Sequence, residues 1–475
     1  MKLKKVAAVI LALSLGMSVG MPAYATGTTS ETDYENLTQE EKDKLYEKEL
    51  KKIYKEPVQS NKIANWPKGP GTYGEAAIVM DAGTGAILYA KNIEDKHYPA
   101  SITKVLTALV AFENSQMDDK VKVSAACVDF LQPGDSSIAL KKGDKLSMKD
   151  TLYATLLASA NEAAYAVAEN VGKNAGHDYQ WFIEKMNEKC KELGGVNSNF
   201  VNANGLHDEN HYTCAKDMAL IGKELFLHPE FFEIVQTPQY VIKKSKTVEE
   251  HVFQQKHKML LENYEAYYKY AIGGKTGYTS DSLNTLITMA DNGEQQLVCV
   301  VLREQGGKSY PDTTALFEYV FNNFKRVDVA EFETAEEVGE IIDVVETSDS
   351  GMTYRQGGYV TIPKDFDVND LEMKFEPDNS TSGEATLTYT YEGNLVGSAR
   401  ATLSDSYKAQ HTAKIEEVKE EPKEEAEIFL DKFDAKEKKI LLGACGLLIV
   451  LIILYVGIII TRRRKRKKRR NKKRK

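Results

Sequence analysis

Residues 98–110 read Tyr-Pro-Ala-Ser-Ile-Thr-Lys-Val-Leu-Thr-Ala-Leu-Val, and the rest of the chain is best read outward from them. Ile102, Val105, Leu106, Leu109 and Val110 recur at helical spacing, so a helix with one apolar stripe is expected from about Ser101. Ser101 and Lys104 are three apart and share a face of that helix, which lets the lysine amine reach the serine hydroxyl. By itself Ser101 reads as a helix cap after Pro99, and Lys104 as a solvated helix residue. Two further short motifs change the weight of that reading. They are Ser159-Ala160-Asn161 and Lys275-Thr276-Gly277, following in this order.

The surrounding pattern places these motifs. Ala76–Met80 and Ala86–Ala90 read as strands joined by a turn at Asp81–Gly85. Asp150–Ala158 and Glu162–Val171 read as helices, with Ser159 and Asn161 at the break between them. Lys275–Gly277 reads as an edge strand, able to bind an extended peptide by main-chain hydrogen bonds. Asn284–Ala290 and Gln296–Leu302 are strands joined across Asn292-Gly293, and Thr313–Phe324 is a closing helix. Helices around such a sheet make an α/β (α+β) domain over about 71–325.

A small all-β domain is expected over 326–413. Leu371, Met373 and Phe375 alternate there, as do Ala385, Leu387, Tyr389 and Tyr391 before the turn Glu392-Gly393-Asn394. A charged linker covers 414–439. Residues 26–70 form a charged N-terminal extension, read as a spacer. It carries the capping-box pair Thr38 and Glu41 ahead of a solvated helix, and Pro57, Pro67 and Pro70 end that helix.

The chain ends suggest export and anchoring. Lys2, Lys4 and Lys5, the apolar run Val6–Val19 and Ala23-Tyr24-Ala25 give residues 1–25 the form of a signal peptide. Residues 440–460 are apolar enough for a transmembrane helix. The tail 461–475 is polybasic and belongs on the cytoplasmic side, so the catalytic domain is expected outside, at the cell membrane. From Arg462 the tail carries 13 basic residues; with the whole chain at −8, the remainder stands at −21 (−8 less 13). So acidic a body argues against nucleic acid as a partner. Cys127, Cys190, Cys214 and Cys299 do not form a dense framework, and no bridge is expected. No cofactor or metal is expected.

The chemistry follows from the residue types. A serine hydroxyl becomes a nucleophile when a base removes its proton, and a lysine serves as that base when burial and neighbouring positive charge lower its pKa. Lys275 can supply such a charge. Ser159 can relay a proton, and the Asn161 amide can hold a carbonyl and orient Lys104. Lys275 and the Thr276 hydroxyl can meet a carboxylate, and Gly277 keeps the strand clear of a side chain.

Together these residues carry a resemblance. Tyr98–Lys104 with Val105–Leu109, Leu157–Asn161, Asn202–Asp208 and Gly274–Thr279 resemble the signatures of the D-alanyl-D-alanine carboxypeptidases, low-molecular-mass penicillin-binding serine peptidases. The likeness spans about 71–325 and implies a serine β-lactamase/penicillin-binding-protein-like catalytic domain. It implies that Ser101 forms an acyl-enzyme, that Lys104 is the general base, and that Ser159 assists proton transfer. Asn161, Lys275, Thr276 and Gly277 would bind substrate, and the backbone N–H groups of Ser101 and Tyr278 would form the oxyanion hole. The implied partners are peptidoglycan stem peptides, with β-lactam antibiotics as covalent inhibitors.

One departure stands out. Ser309, with Lys308 beside it, occupies the place where members of the family often carry a carboxylate-binding arginine. A D,D-endopeptidase cutting cross-links is therefore the nearest alternative. A class A β-lactamase is disfavoured, because no Glu-x-x-Leu-Asn pattern lies between Asn161 and Lys275. A non-catalytic wall-binding scaffold is disfavoured by the intact motifs.

Overall fold

In the computed structural model, residues 37–332, 341–345, 358–377 and 384–403 are described. The chain opens with α1 (Gln39–Tyr54) and runs into the hairpin β1 (Gly74–Asp81) and β2 (Ile87–Lys91). A helical portion follows: α2 (Thr103–Asn114), the short pair β3 (Lys120–Lys122) and β4 (Lys145–Ser147), then α3 (Met148–Leu156), α4 (Asn161–Asn174), α5 (Tyr179–Glu192), α6 (Ala215–Glu224) and α7 (Pro229–Val235). The small hairpin β5 (Gln239–Ile242) and β6 (His251–Gln254) leads back to the main sheet through β7 (Ala271–Thr279), β8 (Leu283–Asp291) and β9 (Gln296–Glu304), and α8 (Ser309–Asn323) closes the domain.

The main sheet is antiparallel in the order β2-β1-β9-β8-β7, which leaves β7 at an edge, as the sequence predicts. Both faces of the sheet are covered. Ile78, Met80, Val298, Val300 and Leu302 face the helical portion, while Ala77, Val79, Leu297, Cys299 and Val301 pack with Leu316, Phe317 and Val320 of α8. Burial on both faces is why these strands read as unbroken apolar runs. The β8–β9 turn forms as expected: Asn292 Oδ1 accepts from Glu294 N at 2.9 Å and Gln295 N at 2.8 Å, with Gly293 at φ 91°. Cys127, Cys190, Cys214 and Cys299 are buried free thiols.

The second domain is mostly β. Its sheet comprises β10 (Phe324–Asp328), β11 (Ile341–Val345), β12 (Tyr359–Pro363), β13 (Glu372–Pro377), β14 (Glu384–Tyr391) and β15 (Asn394–Leu403). The strand order is β10-β12-β15-β14-β13, with β11 also paired to β15. Along β14, Ala385, Leu387, Tyr389 and Tyr391 are buried and the intervening residues are not, as the alternation predicts. The alternation read at Leu371, Met373 and Phe375 is weaker: Leu371 and Phe375 pack only partly, and Met373 is 36% exposed, because β13 is the sheet edge. The two sheets meet at Asp81. Its buried carboxylate accepts from Thr84 N at 2.8 Å, Thr84 Oγ1 at 2.9 Å, Tyr359 Oη at 2.9 Å and Thr361 Oγ1 at 3.0 Å.

Several boundaries move. The closing helix starts at Ser309 rather than Thr313, because the Glu304 carboxylate accepts the Lys308 N–H at 2.7 Å ahead of its first turn. Pro311 falls within that turn, where a missing N–H costs no helical bond. The helix expected from Ser101 begins as a 3₁₀ turn over Ala100–Ile102 and becomes α-helical at Thr103. The N-terminal extension is not a free spacer. Its α1 has the predicted capping box at Thr38 and Glu41, but the chain after it is packed. Trp66 is buried, donates to the Leu88 carbonyl at 3.2 Å, and lies 5.2 Å from the Phe324 ring and 6.4 Å from the Tyr391 ring. The buried Lys91 amine donates to the carbonyls of Ile53 (2.8 Å), Thr72 (2.9 Å) and Gly74 (2.9 Å).

Apart from Leu403, the described residues belong to one unit of mutual contacts. Among them no helix is long and apolar enough to cross a membrane. The signal peptide at 1–25, the linker at 414–439, the span at 440–460 and the tail at 461–475 all lie outside the described residues.

Candidate active site

The 3₁₀ turn carrying Ser101 is wedged between β7 and a loop from the helical portion. On the strand side, Thr285 Oγ1 donates to the Pro99 carbonyl at 2.8 Å. Gly277 lies so near the turn that a β-carbon there would stand 2.9 Å from Ser101 N and 2.4 Å from Thr285 Oγ1. Glycine at 277 is thus a steric requirement of bringing the strand against the serine. The other side is tighter still. Gly205, at φ 81°, would place a β-carbon 1.9 Å from the Ala100 carbonyl oxygen. Ala100 itself is held at φ 50°, a left-handed conformation rare for alanine and the kind of local strain that a surrounding structure must enforce.

The loop bearing Gly205 is fixed from several directions. Asn202 Oδ1 accepts from Gly205 N at 2.7 Å, and Thr107 Oγ1 donates to the Ala203 carbonyl at 2.7 Å. His211 supports it from beneath. Its Nδ1 accepts from Val201 N at 3.0 Å, which leaves the proton on Nε2, 2.9 Å from Thr103 Oγ1. Burial pushes His211 down to about 3, so the ring is neutral.

The result is a defined environment for Lys104. Its amine is fully buried and lies 2.8 Å from Ser101 Oγ, 2.8 Å from Asn161 Oδ1 and 2.5 Å from the Asn204 carbonyl. Asn161 Oδ1 and the Asn204 carbonyl can only accept. A neutral amine has two N–H groups for them and one lone pair left for the Ser101 hydroxyl. Burial, followed by the charges of Lys275 and Lys256, holds Lys104 well below the ordinary lysine range, against smaller opposing effects of Glu162 and Asp135. A neutral amine so placed can take the hydroxyl proton of Ser101.

Asn161 is the first residue of α4, and its N–H donates to the Ser136 carbonyl at 2.8 Å. Next to it, the buried Glu162 carboxylate accepts from Ser137 Oγ at 2.7 Å and Ile138 N at 2.8 Å, which holds the 135–140 loop beside the cleft. Ser159 sits in the turn between α3 and α4 at φ 61°, buried, and among the described residues its side chain is hydrogen-bonded to no member of the cluster. Lys275 is buried with its amine 2.7 Å from the Thr276 carbonyl. Burial and then the charge of Lys256 lower it to about 7. Thr276 is half-buried and Tyr278 is 64% exposed, further along the same edge strand.

Hydrogen bonds therefore join Ser101, Lys104 and Asn161 directly, and β7 brings Lys275, Thr276, Gly277 and Tyr278 alongside them. Two contributors were missed. Asn204 lies within the Asn202–Asp208 signature but acts through its backbone carbonyl, a role that residue type does not reveal. Lys256, in the segment after β6, stands in no recognisable spacing. Among the described residues no His/Cys/Asp/Glu cluster suited to a metal is found.

Comparisons with known proteins converge on one family. The family model for D-alanyl-D-alanine carboxypeptidase matches residues 64–306. The Bacillus subtilis D-alanyl-D-alanine carboxypeptidase DacF is 30% identical over 264 residues, covering 53% of this chain and 63% of that protein. The Haemophilus influenzae D-alanyl-D-alanine carboxypeptidase DacA is 27% identical over 264 residues, covering 54% of this chain and 64% of that protein. The chain thus spans less than two thirds of the length of either relative. Among solved structures, a Streptomyces DD-transpeptidase superimposes with a TM-score of 0.50 at 27% identity, covering 54% of this chain and all of that one.

Proposed function

The chain belongs to the D-alanyl-D-alanine carboxypeptidase family, and on that premise we propose that it is a serine-type, penicillin-binding D-Ala-D-Ala carboxypeptidase removing the terminal D-alanine from peptidoglycan stem pentapeptides. The observation that carries this reading is the Lys104 amine, buried and shared between Ser101 Oγ and two obligate acceptors. Ser101 Oγ attacks the carbonyl carbon of the penultimate D-alanine as Lys104 takes its proton. The N–H groups of Ser101 and Tyr278 receive the developing oxyanion. Ser159 relays that proton from Lys104 to the leaving amine, which returns Lys104 to its neutral form; D-alanine departs, and an ester to Ser101 remains. Water, deprotonated by Lys104, then hydrolyses that ester. Asn161 holds the substrate amide, while Lys275 and Thr276 hold the terminal carboxylate beside Gly277. β-Lactams acylate the same serine.

Two measurements test this. Fluorescent penicillin should label wild-type protein and leave Ser101→Ala unlabelled, and pentapeptide should release one equivalent of D-alanine. Labelling that survives in Ser101→Ala, or absence of D-alanine release, rejects the reading. A D,D-endopeptidase is the second reading, favoured by Ser309. This residue is only 7% exposed, and its backbone N–H points at Glu304, so it offers no cation to a terminal carboxylate. Measurable cleavage of cross-linked dimers would support it.

The same proposal covers location. A signal peptide at 1–25, a transmembrane helix at 440–460 and a cytoplasmic tail at 461–475 would hold the catalytic domain (71–325) and the β domain (326–413) outside the membrane. External protease acting on wall-stripped cells should then digest the body and spare a tag placed after Lys475.

A further inference from the structure

The loop that carries Asn204 is supported from outside by α5, and α4 fixes where α5 begins. A β-carbon at Gly172, near the end of α4, would collide with the Asp178 carbonyl, so glycine is what lets the chain turn from α4 into α5. Asp178 Oδ1 caps α5 by accepting from Trp181 N at 3.1 Å. Tyr179, the first residue of α5, lies with its ring flat against Tyr165 of α4, the centroids 4.1 Å apart and the planes 11° from parallel. Phe130 lies 5.5 Å from the same Tyr165 ring. The stack settles the direction in which the Tyr179 hydroxyl points.

Two side chains of α5 grip the loop. Asn187 Oδ1 accepts from Phe200 N at 2.8 Å, and its Nδ2 donates to the Phe200 carbonyl at 2.7 Å. Tyr179 Oη accepts from Ala203 N at 3.0 Å. The two spans match: a helix advances about 12 Å between Tyr179 and Asn187, and an extended chain covers about 10 Å from Phe200 to Ala203. Ala203 is held through both of its backbone groups, since its carbonyl accepts from Thr107 Oγ1 at 2.7 Å. The next carbonyl along the chain is that of Asn204, which meets the Lys104 amine at 2.5 Å.

The two holds on Ala203 do different things. Thr107 belongs to α2, the helix that carries Lys104, so its bond ties the loop to that helix alone. Tyr179 ties it to α5. Ala203 is fully buried, so without the hydroxyl its N–H would be left unpaired in the core. Burial holds the Tyr179 phenol above the ordinary tyrosine range, so the bond joins two neutral groups. The placement matters to the chemistry. With one N–H of the neutral Lys104 amine directed at Asn204 and one at Asn161 Oδ1, the lone pair is turned to Ser101 Oγ. A displaced Asn204 carbonyl would turn it away.

We propose that Tyr179 is a positioning residue for the acylation step: by accepting the Ala203 N–H, its hydroxyl sets where the Asn204 carbonyl stands against the Lys104 amine. This rests on the serine–lysine chemistry proposed above and extends it to a residue outside every motif that chemistry names.

Stopped-flow acylation by a fluorescent penicillin separates the fraction of protein that reacts, the dissociation constant of the complex before acylation, and the rate constant within that complex. Tyr179→Phe keeps the ring and its stack and removes the oxygen. It should react to full amplitude, bind within about twofold of wild type, and acylate Ser101 more slowly by a factor on the order of ten, as for one hydrogen bond lost. Tyr165→Phe removes a hydroxyl from the stacked neighbour, and its rate constant should stay within about twofold. A rate constant in Tyr179→Phe within about twofold of wild type, whatever the amplitude, would overturn the assignment, as would an equal fall in Tyr165→Phe. A wild-type protein that penicillin does not label would instead reject the serine–lysine reading, so the two failures are distinct.

Discussion

The amine of Lys104 stands 2.8 Å from the hydroxyl of Ser101, and a carbonyl one hundred residues along the chain, that of Asn204, holds it there at 2.5 Å. The pair three apart on one helix face is necessary but not sufficient. Long-range contacts are what make the lysine dry, crowded by positive charge, and able to give up its proton.

Replacing Lys104 by arginine tests that point. A guanidinium keeps its charge at any accessible pH. Acylation of Ser101 by penicillin should fall by a factor on the order of a thousand in Lys104→Arg. In the wild type the rate should rise with pH through a pKa well below the ordinary lysine value of 10.5, because the neutral amine is the active form. Stopped-flow acylation across pH measures both; near-normal acylation in the arginine variant would point to another base.

Lys275 predicts the opposite limb. Its amine titrates near 7 in the unliganded protein, so raising pH discharges it. Above about pH 7, kcat/KM for a peptide with a free terminal carboxylate should decline relative to its carboxamide. A constant ratio between the two across pH 6–9 would remove Lys275 from carboxylate binding.

Gly205→Ala should be damaging although no side-chain chemistry is lost. The added methyl would collide with the Ala100 carbonyl at a backbone φ of 81°. A loss of about 1–3 kcal/mol is expected from the strained backbone alone. The Asn204 carbonyl should also shift away from Lys104, so penicillin acylation should slow even where thermal unfolding shows the variant folded.

Glu304 gives a stability signature. Burial raises its carboxyl from 4.5 to about 7. Since the folded-state value is the higher one, its stabilising contribution is complete below the unfolded pKa and is lost as pH rises through about 7. The stability of wild type relative to Glu304→Gln should therefore fall by at most about 3 kcal/mol between pH 4.5 and 8. Denaturant unfolding at the two pH values gives this difference, and a difference that grows with pH would contradict it.

Much of this arrangement is legible in the sequence, for reasons that differ by element. Ala76–Met80 and Leu297–Leu302 announce themselves because a sheet covered on both faces needs continuous apolar strands. Gly277 could be read as a clearance on the edge strand. The rest escapes because it depends on what meets what. Nothing local in residues 57–70 says that Trp66 will lie between Leu88 and Phe324. No spacing rule marks Lys256, whose importance comes from a hairpin folding back toward β7. The start of α8 was misplaced for a similar reason: its cap is the Glu304 carboxylate, delivered by the preceding strand rather than by a capping residue within the helix.

The carboxylate of Asp81 has a consequence for how this protein can be divided. Two of its four donors, Tyr359 and Thr361, arrive from β12, well beyond the boundary at 325, which itself falls inside β10. A fragment ending at 325 would keep every catalytic motif, yet it would leave a buried acid half-satisfied and take the Phe366 and Tyr391 rings away from Trp66. The accessory sheet is thus not a detachable cassette. Grafting a different tail domain onto this catalytic core would require redesign at Asp81, and drift in one sheet constrains drift in the other.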